Sequence, residues 1–174
     1  DHGEGLHEHG CATHAIDLHA EALRIPLLIE APGVSPGPRR ALASSIDLHE
    51  TVLDYAGLSA WRLTESHSLL PQLRAPERFG GAGREYAFAE AAAPTLVPYE
   101  RRALITPAWA LLWDVRPNTL ELYDNVSDRA QRRDLIEARP EVAGRLHDDL
   151  RTCAENADHP RAKELFNRAE LPGF

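Results

Sequence analysis

The sequence contains no methionine and only two cysteines, Cys11 and Cys153, among its 174 residues. Two cysteines so far apart do not form the disulfide framework of a small secreted domain. The length is that of a single domain, which would bury roughly 70% of its unfolded surface if compact. Because methionine is absent, we expect the chain to be a piece of a longer protein.

Basic residues and long apolar runs are also scarce. The 19 lysines and arginines face 27 acidic residues, which leaves a formal charge of −8. This balance argues against nucleic acid or an anionic membrane surface as a partner. No apolar run approaches the roughly 20 residues that span a bilayer, so the sequence predicts no membrane span.

Histidine, by contrast, is concentrated at the start of the chain. Residues 1–24 hold five of the nine histidines, five carboxylates and three glycines. Carboxylates and neutral imidazoles bind cations, and glycine lets a loop fold tightly enough for side chains to converge. The segment therefore predicts a metal or anion site on a loop, leading into a buried strand at residues 25–29.

A dedicated zinc site is disfavoured by the spacing of these histidines. The spacing of His2, His7, His9, His14 and His19 fits neither H-E-x-x-H on a helix nor a Cys/His finger. Adventitious binding of a transition metal stays open. Cys11 is not interpreted as a nucleophile paired with His14, because a catalytic thiol normally meets its base across the fold.

Apolar periodicity predicts secondary structure along the rest of the chain. A short helical turn is expected at 17–24, and a helix starts at Asp47, with Glu50 as its capping partner and Gly57 at its end. Residues 59–84 are predicted to be surface loop.

The second half changes to a period typical of strands. Four short strands separated by turns form a predicted antiparallel sheet, at residues 86–90, 101–106, 109–115 and 120–123. Helices are predicted at 128–138, from Pro140 onward, and at 161–169.

Several motifs, in order, resemble the sulfatases of the alkaline-phosphatase-like superfamily. The opening DHGE (1–4), EHG (8–10), His14 and LRIPLLI (23–29) match the pattern of that family. The similarity continues through APG (31–33), SIDL (45–48), TVLDYAGL (51–58), SLLP (68–71) and ELYD (121–124).

This resemblance implies a fold class and a domain arrangement. The fold is expected to be α/β, the C-terminal part of a sulfatase-like αβα sandwich plus a small four-stranded antiparallel sheet with C-terminal helices. Residues 1–60 would form the last part of the catalytic α/β domain, and residues 61–84 would be a linker loop. Residues 85–174 would form the antiparallel sheet and the C-terminal helices. The strand at 25–29 is expected to need neighbours from sequence outside this chain.

The resemblance also implies a site. Asp1 and His2 match a metal-binding pair, for calcium by resemblance, although Mg²⁺, Mn²⁺ or Zn²⁺ could serve. His14 matches the position of a Lys or His that contacts the sulfate and would assist the leaving alcohol. The motif of the formylglycine nucleophile, Cys or Ser followed by x-Pro-x-Arg, is found at neither Cys11 nor Cys153.

Other residues of the loop are given structural roles or none. Glu8 and His9 are expected to hold the loop through hydrogen bonds to the backbone. His7 and His19 depart from the family pattern, and sequence drift is the favoured explanation of His7. Arg24 is expected to form a salt bridge with a carboxylate of the same loop.

Three functions remain open. The favoured one is hydrolysis of sulfate monoesters by the parent protein, with the missing N-terminal part supplying the nucleophile. The second is hydrolysis of phosphonate or phosphate esters, or phosphoglycerol transfer, on the same scaffold. In the third, the fragment is inactive and serves as a structural or interaction module, packing against its N-terminal half or as a homo-oligomer.

Overall fold

The computed structural model describes residues 1–14, 16–58, 65–79, 83–93 and 99–157. Within these ranges, a 3₁₀ turn at Glu8–Gly10 is followed by four short helices, four strands and one longer helix. The helices are α1 (Ala20–Leu23), α2 (Asp47–Tyr55), α3 (Leu70–Arg74), α4 (Pro76–Phe79) and α5 (Pro140–Ala157). The strands are β1 (Ala87–Ala93), β2 (Tyr99–Ile105), β3 (Trp109–Asp114) and β4 (Thr119–Asp124).

The four strands form one antiparallel sheet in the order β1-β2-β3-β4. The register pairs Leu104 with Leu111 and Leu111 with Leu122. This confirms the predicted sheet, with strand ends moved by a few residues. Turn residues at the strand ends and alternating apolar side chains made the prediction reliable.

Both faces of the sheet are covered, because side chains alternate between the faces along each strand. Leu104, Leu111 and Leu122 pack against α5 through Leu146 and Leu150. On the opposite face, side chains of the sheet pack against Leu18 and Leu23 of the N-terminal segment. These side chains of the sheet are Ala91, Ala103, Ala110, Leu112 and Tyr123. The histidine-rich segment is therefore held on the face opposite α5.

The helix predicted at 128–138 is wrong, since these residues form turns. Asp128 accepts a hydrogen bond from the Arg133 backbone N–H, and Asp134 accepts from those of Leu122 and Ile136. Such side-chain to backbone bonds offer the main chain an alternative to the helix. The segment is thereby tied to the edge of β4.

The predicted loop at 59–84 is partly wrong, because it contains α3 and α4. Pro71 lies in the first turn of α3 and Pro76 begins α4, where proline is tolerated because its missing N–H has no partner in a helix. Residues 59–64 and 80–82, and the helix predicted at 161–169, lie outside the described residues. The long helix from Pro140 is confirmed.

The helix at Asp47 is confirmed, but its predicted capping pair is wrong. Ile46 occupies the N-cap without a side-chain cap. The fully buried Asp47 carboxylate instead accepts hydrogen bonds from the Ser44 and His67 backbones and a salt bridge, 2.8 Å long, from Arg84. Gly57 ends the segment with φ +69, as predicted for a C-cap.

The strand predicted at 25–29 is wrong for the described residues, where the segment pairs with no other strand. Leu28 is 97% exposed and Leu27 46% exposed. An apolar run can become a strand only beside a partner, because its backbone groups need hydrogen bonds.

As for membranes, no helix in the described part of the chain is both long and apolar enough to span one.

Candidate functional site

The histidine-rich loop folds back against α1 at its first glycine. The Gly3 backbone N–H donates to the carbonyl oxygen of Ala22 over 2.8 Å. A Cβ added to Gly3 would lie 1.9 Å from the carbonyl oxygen of Glu21, so only glycine allows this approach. The contact fixes Asp1 and His2 beside the start of α1.

The structure brings the three predicted site residues together. The His2 and His14 rings are stacked, with centroids 4.3 Å apart and planes at 28°. The Asp1 Oδ1 atom lies 3.8 Å from His2 Nε2. Residues separated by a dozen positions in sequence thus share one small surface.

Hydrogen bonds orient both rings of this cluster. His2 Nδ1 lies 2.8 Å from the Gly3 carbonyl oxygen, which can only accept, so that nitrogen carries the proton and Nε2 keeps a lone pair. His14 Nδ1 lies 2.7 Å from Glu4 Oε2 and donates to it. The other nitrogen of each ring is therefore directed away from its anchor, as in ligating and proton-transferring histidines.

The donor atoms of Asp1 and His2 fit a shared divalent cation. Ligand atoms bound to one cation over roughly 2.0–2.6 Å stand about 3–4 Å apart when adjacent, and the 3.8 Å separation lies in this range. The Asp1 side chain is 95% exposed and that of His2 50%. Within the described residues no third His, Cys or carboxylate joins them in a ligand cluster, so other groups would have to complete the shell.

Glu8 and His9 hold the loop, as predicted. Glu8 Oε2 accepts from the Leu6 backbone N–H at 2.6 Å, and His9 Nε2 donates to the Gln131 carbonyl oxygen at 2.7 Å. His9 Nδ1 lies 2.7 Å from a carboxylate oxygen of Glu21. Both nitrogens of the His9 ring therefore face oxygen atoms, and the ring joins the loop to α1 and to the segment after β4.

The salt bridge predicted between Arg24 and a carboxylate of the same loop is wrong, because Arg24 has other partners. The guanidinium donates to the Arg129 carbonyl oxygen at 2.7 Å and to Asn125 Oδ1 at 3.0 Å. No carboxylate of the loop pairs with it among the described residues. The side chain thus ties the loop to the segment after β4, through uncharged acceptors.

His19, left without a role by sequence, is the buried centre of an ionic cluster. Its Nδ1 lies 2.6 Å from Asp17 Oδ1 and its Nε2 3.0 Å from Glu121 Oε2. Arg101 reaches the same carboxylates, at 2.8 Å from Asp17 and 2.5 Å from Glu121. The cluster joins the loop to strands β2 and β4.

The electrostatics of this cluster favour its charged forms. Burial lowers the pKa of His19, but hydrogen bonds to Asp17 and Glu121 outweigh burial and raise it to about 9. Burial raises the pKa of Glu121, but His19, Arg101 and the Tyr123 hydroxyl outweigh this and lower it to about 2. His19 is therefore a cation and Glu121 an anion at neutral pH.

The imidazoles of His9 and His19 are also stacked, with centroids 3.7 Å apart and planes at 5°. Donor atoms of His9, His19 and Glu21 lie within 4.8 Å of one another. Each ring nitrogen, however, already faces an oxygen acceptor at 2.6–3.0 Å. The two rings therefore act as hydrogen-bond donors between the loop and the sheet.

Sequence reasoning missed Glu4 and His19. Glu4 stands in the DHGE motif, ten residues before the histidine that it contacts, and the motif gives its identity without its partner. One carboxylate partner of His19, Asp17, is two residues away, but the other, Glu121, is 102 residues away. A contact of such sequence separation leaves no local periodicity to find.

Two curated relatives are similar to part of this chain, whereas no family model matches. Choline-sulfatase of Rhizobium meliloti (strain 1021) is 33% identical over 97 residues, 54% of this chain. Arylsulfatase K of Xenopus laevis is 36% identical over 76 residues, 43% of this chain. The matches span 19% and 14% of the two relatives, so this chain covers a small part of either.

Solved structures share the fold along nearly the whole chain. A 2-O GAG sulfatase superposes with a TM-score of 0.74 over 99% of this chain and 37% of its own, at 23% identity. A phosphonate monoester hydrolase from Silicibacter pomeroyi superposes with a TM-score of 0.68 over 91% of this chain and 34% of its own, at 26% identity. Together, the curated relatives and these structures show that the chain is similar in sequence to sulfatases and shares the fold of sulfatases and of a phosphonate monoester hydrolase, which supports the alkaline-phosphatase-like family.

Proposed function

We propose that the intact protein hydrolyses sulfate monoesters at a site to which Asp1, His2 and His14 contribute. The observation that carries the proposal is the stacking of His14 on His2, with the Asp1 carboxylate 3.8 Å from the second ring nitrogen of His2. The pair that we propose to bind a cation thus lies beside the imidazole that we propose to transfer a proton, in a chain similar to sulfatases. The nucleophile, formylglycine by family resemblance, would lie outside these 174 residues.

Asp1 and His2 would hold a divalent cation, calcium by family resemblance. When bound, such a cation neutralises charge on the sulfate oxygens. The carboxylate supplies the hard oxygen that calcium prefers, and His2 supplies Nε2, whose lone pair is kept free by the bond from Nδ1 to Gly3. The remaining ligands would come from elsewhere in the protein.

His14 would give a proton to the departing alcohol. Its Nδ1–H donates to Glu4, so Nε2 is the atom that carries the transferable proton when the ring is charged. The Glu4 carboxylate holds the ring in place through this bond. Stacking against His2 keeps the His14 ring beside the proposed cation ligands, Asp1 and His2.

The exposed apolar segment at 25–29 supports a larger parent protein as the active species. Leu27 and Leu28 are exposed to water, at 46% and 97%. Burying both would gain on the order of 1.5–3 kcal/mol for each side chain. We propose that the N-terminal part of the same protein covers this segment and brings the nucleophile to the site.

Hydrolysis of a phosphonate monoester is a second candidate, because a hydrolase of that class shares the fold at 26% identity. Sulfate and phosphonate esters are both tetrahedral oxyanions, so the same cation and histidine could serve either. The upstream nucleophile separates the two: Cys or Ser before x-Pro-x-Arg argues for a sulfatase, and a bare Thr for the phosphoryl enzymes.

The test measures turnover of an aryl sulfate and an aryl phosphonate, with calcium and with a chelator. The 174-residue chain is assayed alone and after addition of the N-terminal half. We expect no turnover by the chain alone and metal-dependent cleavage of the aryl sulfate when both parts are present. Faster cleavage of the phosphonate would support the second candidate. No turnover of either ester with both parts present would support a purely structural or interaction module.

A further inference from the structure

A basic cavity lies on the surface of this acidic protein. The cavity has a volume of about 680 Å³ and lies between the histidine-rich loop, α1 and the segment after β4. Its wall carries three guanidinium groups, those of Arg24, Arg129 and Arg132. Since the whole chain has a formal charge of −8, this concentration of positive charge is local.

Arg24 is fixed at the cavity by acceptors that do not neutralise it. Its two hydrogen bonds go to the Arg129 carbonyl oxygen and the Asn125 side-chain oxygen, both uncharged. Burial, and secondly the charge of Arg129, lower the pKa of Arg24. The Arg24 guanidinium thus lies against the backbone of a second arginine, without a carboxylate partner among the described residues, an arrangement that an anion would stabilise.

The carboxylates of the same wall have other partners. Glu21 accepts from His9 and Glu8 accepts from the Leu6 backbone. Within the described residues, the Arg129 and Arg132 guanidiniums make no hydrogen bond or ion pair, and Arg24 makes no ion pair. Their remaining N–H donors are free to bind a ligand.

We propose that Arg24, Arg129 and Arg132 form an oxyanion-binding site that takes a sulfate, phosphate or carboxylate group of a small molecule. The planar guanidinium offers paired N–H donors that match two oxygens of such a group. The volume exceeds that of a single oxyanion, so part of the molecule bearing it would also fit. The site shares no residue with the Asp1–His2–His14 cluster and does not depend on the proposed hydrolysis.

The test is a titration of the ¹⁵N-labelled 174-residue chain with inorganic sulfate, replacing chloride at constant ionic strength. We expect saturable shifts of the Glu21 and Ala130 amides and of the Arg24 Nε–H signal. The double variant Arg129→Gln/Arg132→Gln should weaken binding about tenfold, since it removes two charged donors. Titrations with phosphate and acetate then identify the preferred oxyanion.

The matched control is Arg145→Gln/Arg151→Gln, which removes the same charge from the exposed face of α5 and should leave the affinity unchanged. His14→Gln should likewise leave the shifts at the cavity unchanged, which separates this site from the candidate active site. Shifts that never saturate, or equal weakening in both double variants, would overturn the proposal. If the Arg129/Arg132 variant fails to fold, Arg132→Gln alone carries the test, with a several-fold loss expected.

Discussion

His14 combines two contacts that matter for chemistry, a hydrogen bond to Glu4 and a stacked neighbour in His2. The first fixes which nitrogen is available, and the second fixes where that nitrogen lies. Neither contact buries the ring, since its side chain is 46% exposed. A ring held in this way costs little stability to replace and should show its role in kinetics.

In the intact enzyme, His14→Gln should lower kcat by about 10²-fold or more, because glutamine cannot transfer a proton. The metal affinity should stay the same, whereas Asp1→Asn should weaken it. Steady-state kinetics with a calcium titration checks both effects. The control is His49→Gln, which replaces an exposed histidine of α2. A His14 variant with full kcat but weaker metal binding would identify His14 as a metal ligand instead.

The pair of Asp47 and Arg84 has the opposite character, since the two side chains are only 0% and 6% exposed. Arg84 also donates to the Glu65 carbonyl oxygen. Burial raises the pKa of Asp47, but Arg84 and the Ser44 and His67 backbones outweigh it and keep the pKa low. The carboxylate thereby joins α2 to two loops.

Arg84→Met should destabilise the chain by about 3–5 kcal/mol, because it leaves a buried charge without its partner. The double variant Arg84→Met/Asp47→Leu should recover only part of that loss, because the Ser44 and His67 backbone N–H groups then lose their acceptor. Urea unfolding followed by circular dichroism measures both. Equal stability of Arg84→Met and the unmodified chain would show that water solvates Asp47 in solution.

Among the elements, the histidine-rich loop and the sheet are joined most strongly through His19. Its ring faces Asp17 of its own segment, Arg101 of β2, Glu121 and Tyr123 of β4, and the His9 ring stacked on it. Glu21 and Asp114 complete the charged groups around the cluster, through His9 and Arg101. The loop that carries the candidate site therefore depends on the charge of a buried histidine.

The stability of the chain should fall at alkaline pH because of this histidine. The pKa of His19 is raised from 6.5 to about 9, so its contribution is complete below pH 6.5 and is lost as the pH rises through about 9. A shift of this size corresponds to about 3 kcal/mol. Urea unfolding between pH 6 and 10 measures the loss.

At acidic pH the dependence of stability on pH has the opposite sign, so the acidic and alkaline sides of the stability curve are called its two limbs. The pKa of Glu121 is lowered from 4.5 to about 2, so its contribution is present above pH 4.5 and is lost as the pH falls through about 2. His19→Gln should flatten the alkaline limb, whereas His49→Gln should leave both limbs unchanged. An alkaline loss of the same size in His19→Gln would show that other groups cause it.

At the scale of the whole molecule, the described residues contain a sheet covered on both faces and an exposed apolar segment at 25–29. Leu122 in the sheet is fully buried, whereas Leu28 is almost fully exposed. The more exposed of the two, Leu28, lies in the more apolar stretch of sequence, at residues 25–29. The difference lies in what packs against them, α5 in one case and solvent in the other.

Leu122→Ala should lower the free energy of unfolding by about 2–5 kcal/mol, through lost burial and the cavity left behind. Leu28→Ser should change it by less than about 0.5 kcal/mol, because the side chain contacts water already. Leu28→Ser should, however, weaken association with the N-terminal half in a binding assay. A large loss of stability in Leu28→Ser would place that side chain in a core of the chain itself.

The sequence by itself determined the four-stranded sheet, the helices at Asp47 and Pro140, and the resemblance to sulfatases, because these follow from local periodicity, turn residues and short motifs. It also named Asp1, His2 and His14, whose roles stay predictions. The division into residues 1–60, 61–84 and 85–174 likewise stays a prediction.

Only the tertiary structure decided which side chains meet. It joined His14 to Glu4, His19 to Glu121 and Asp47 to Arg84, and it left the strand predicted at 25–29 without a partner. Hydrogen bonds that the Asp128 and Asp134 carboxylates accept from backbone N–H groups replaced the helix predicted at 128–138. The physical reason is the same in each case: burial and charge pairing act between residues brought together by folding, and a local pattern contains no record of a distant partner.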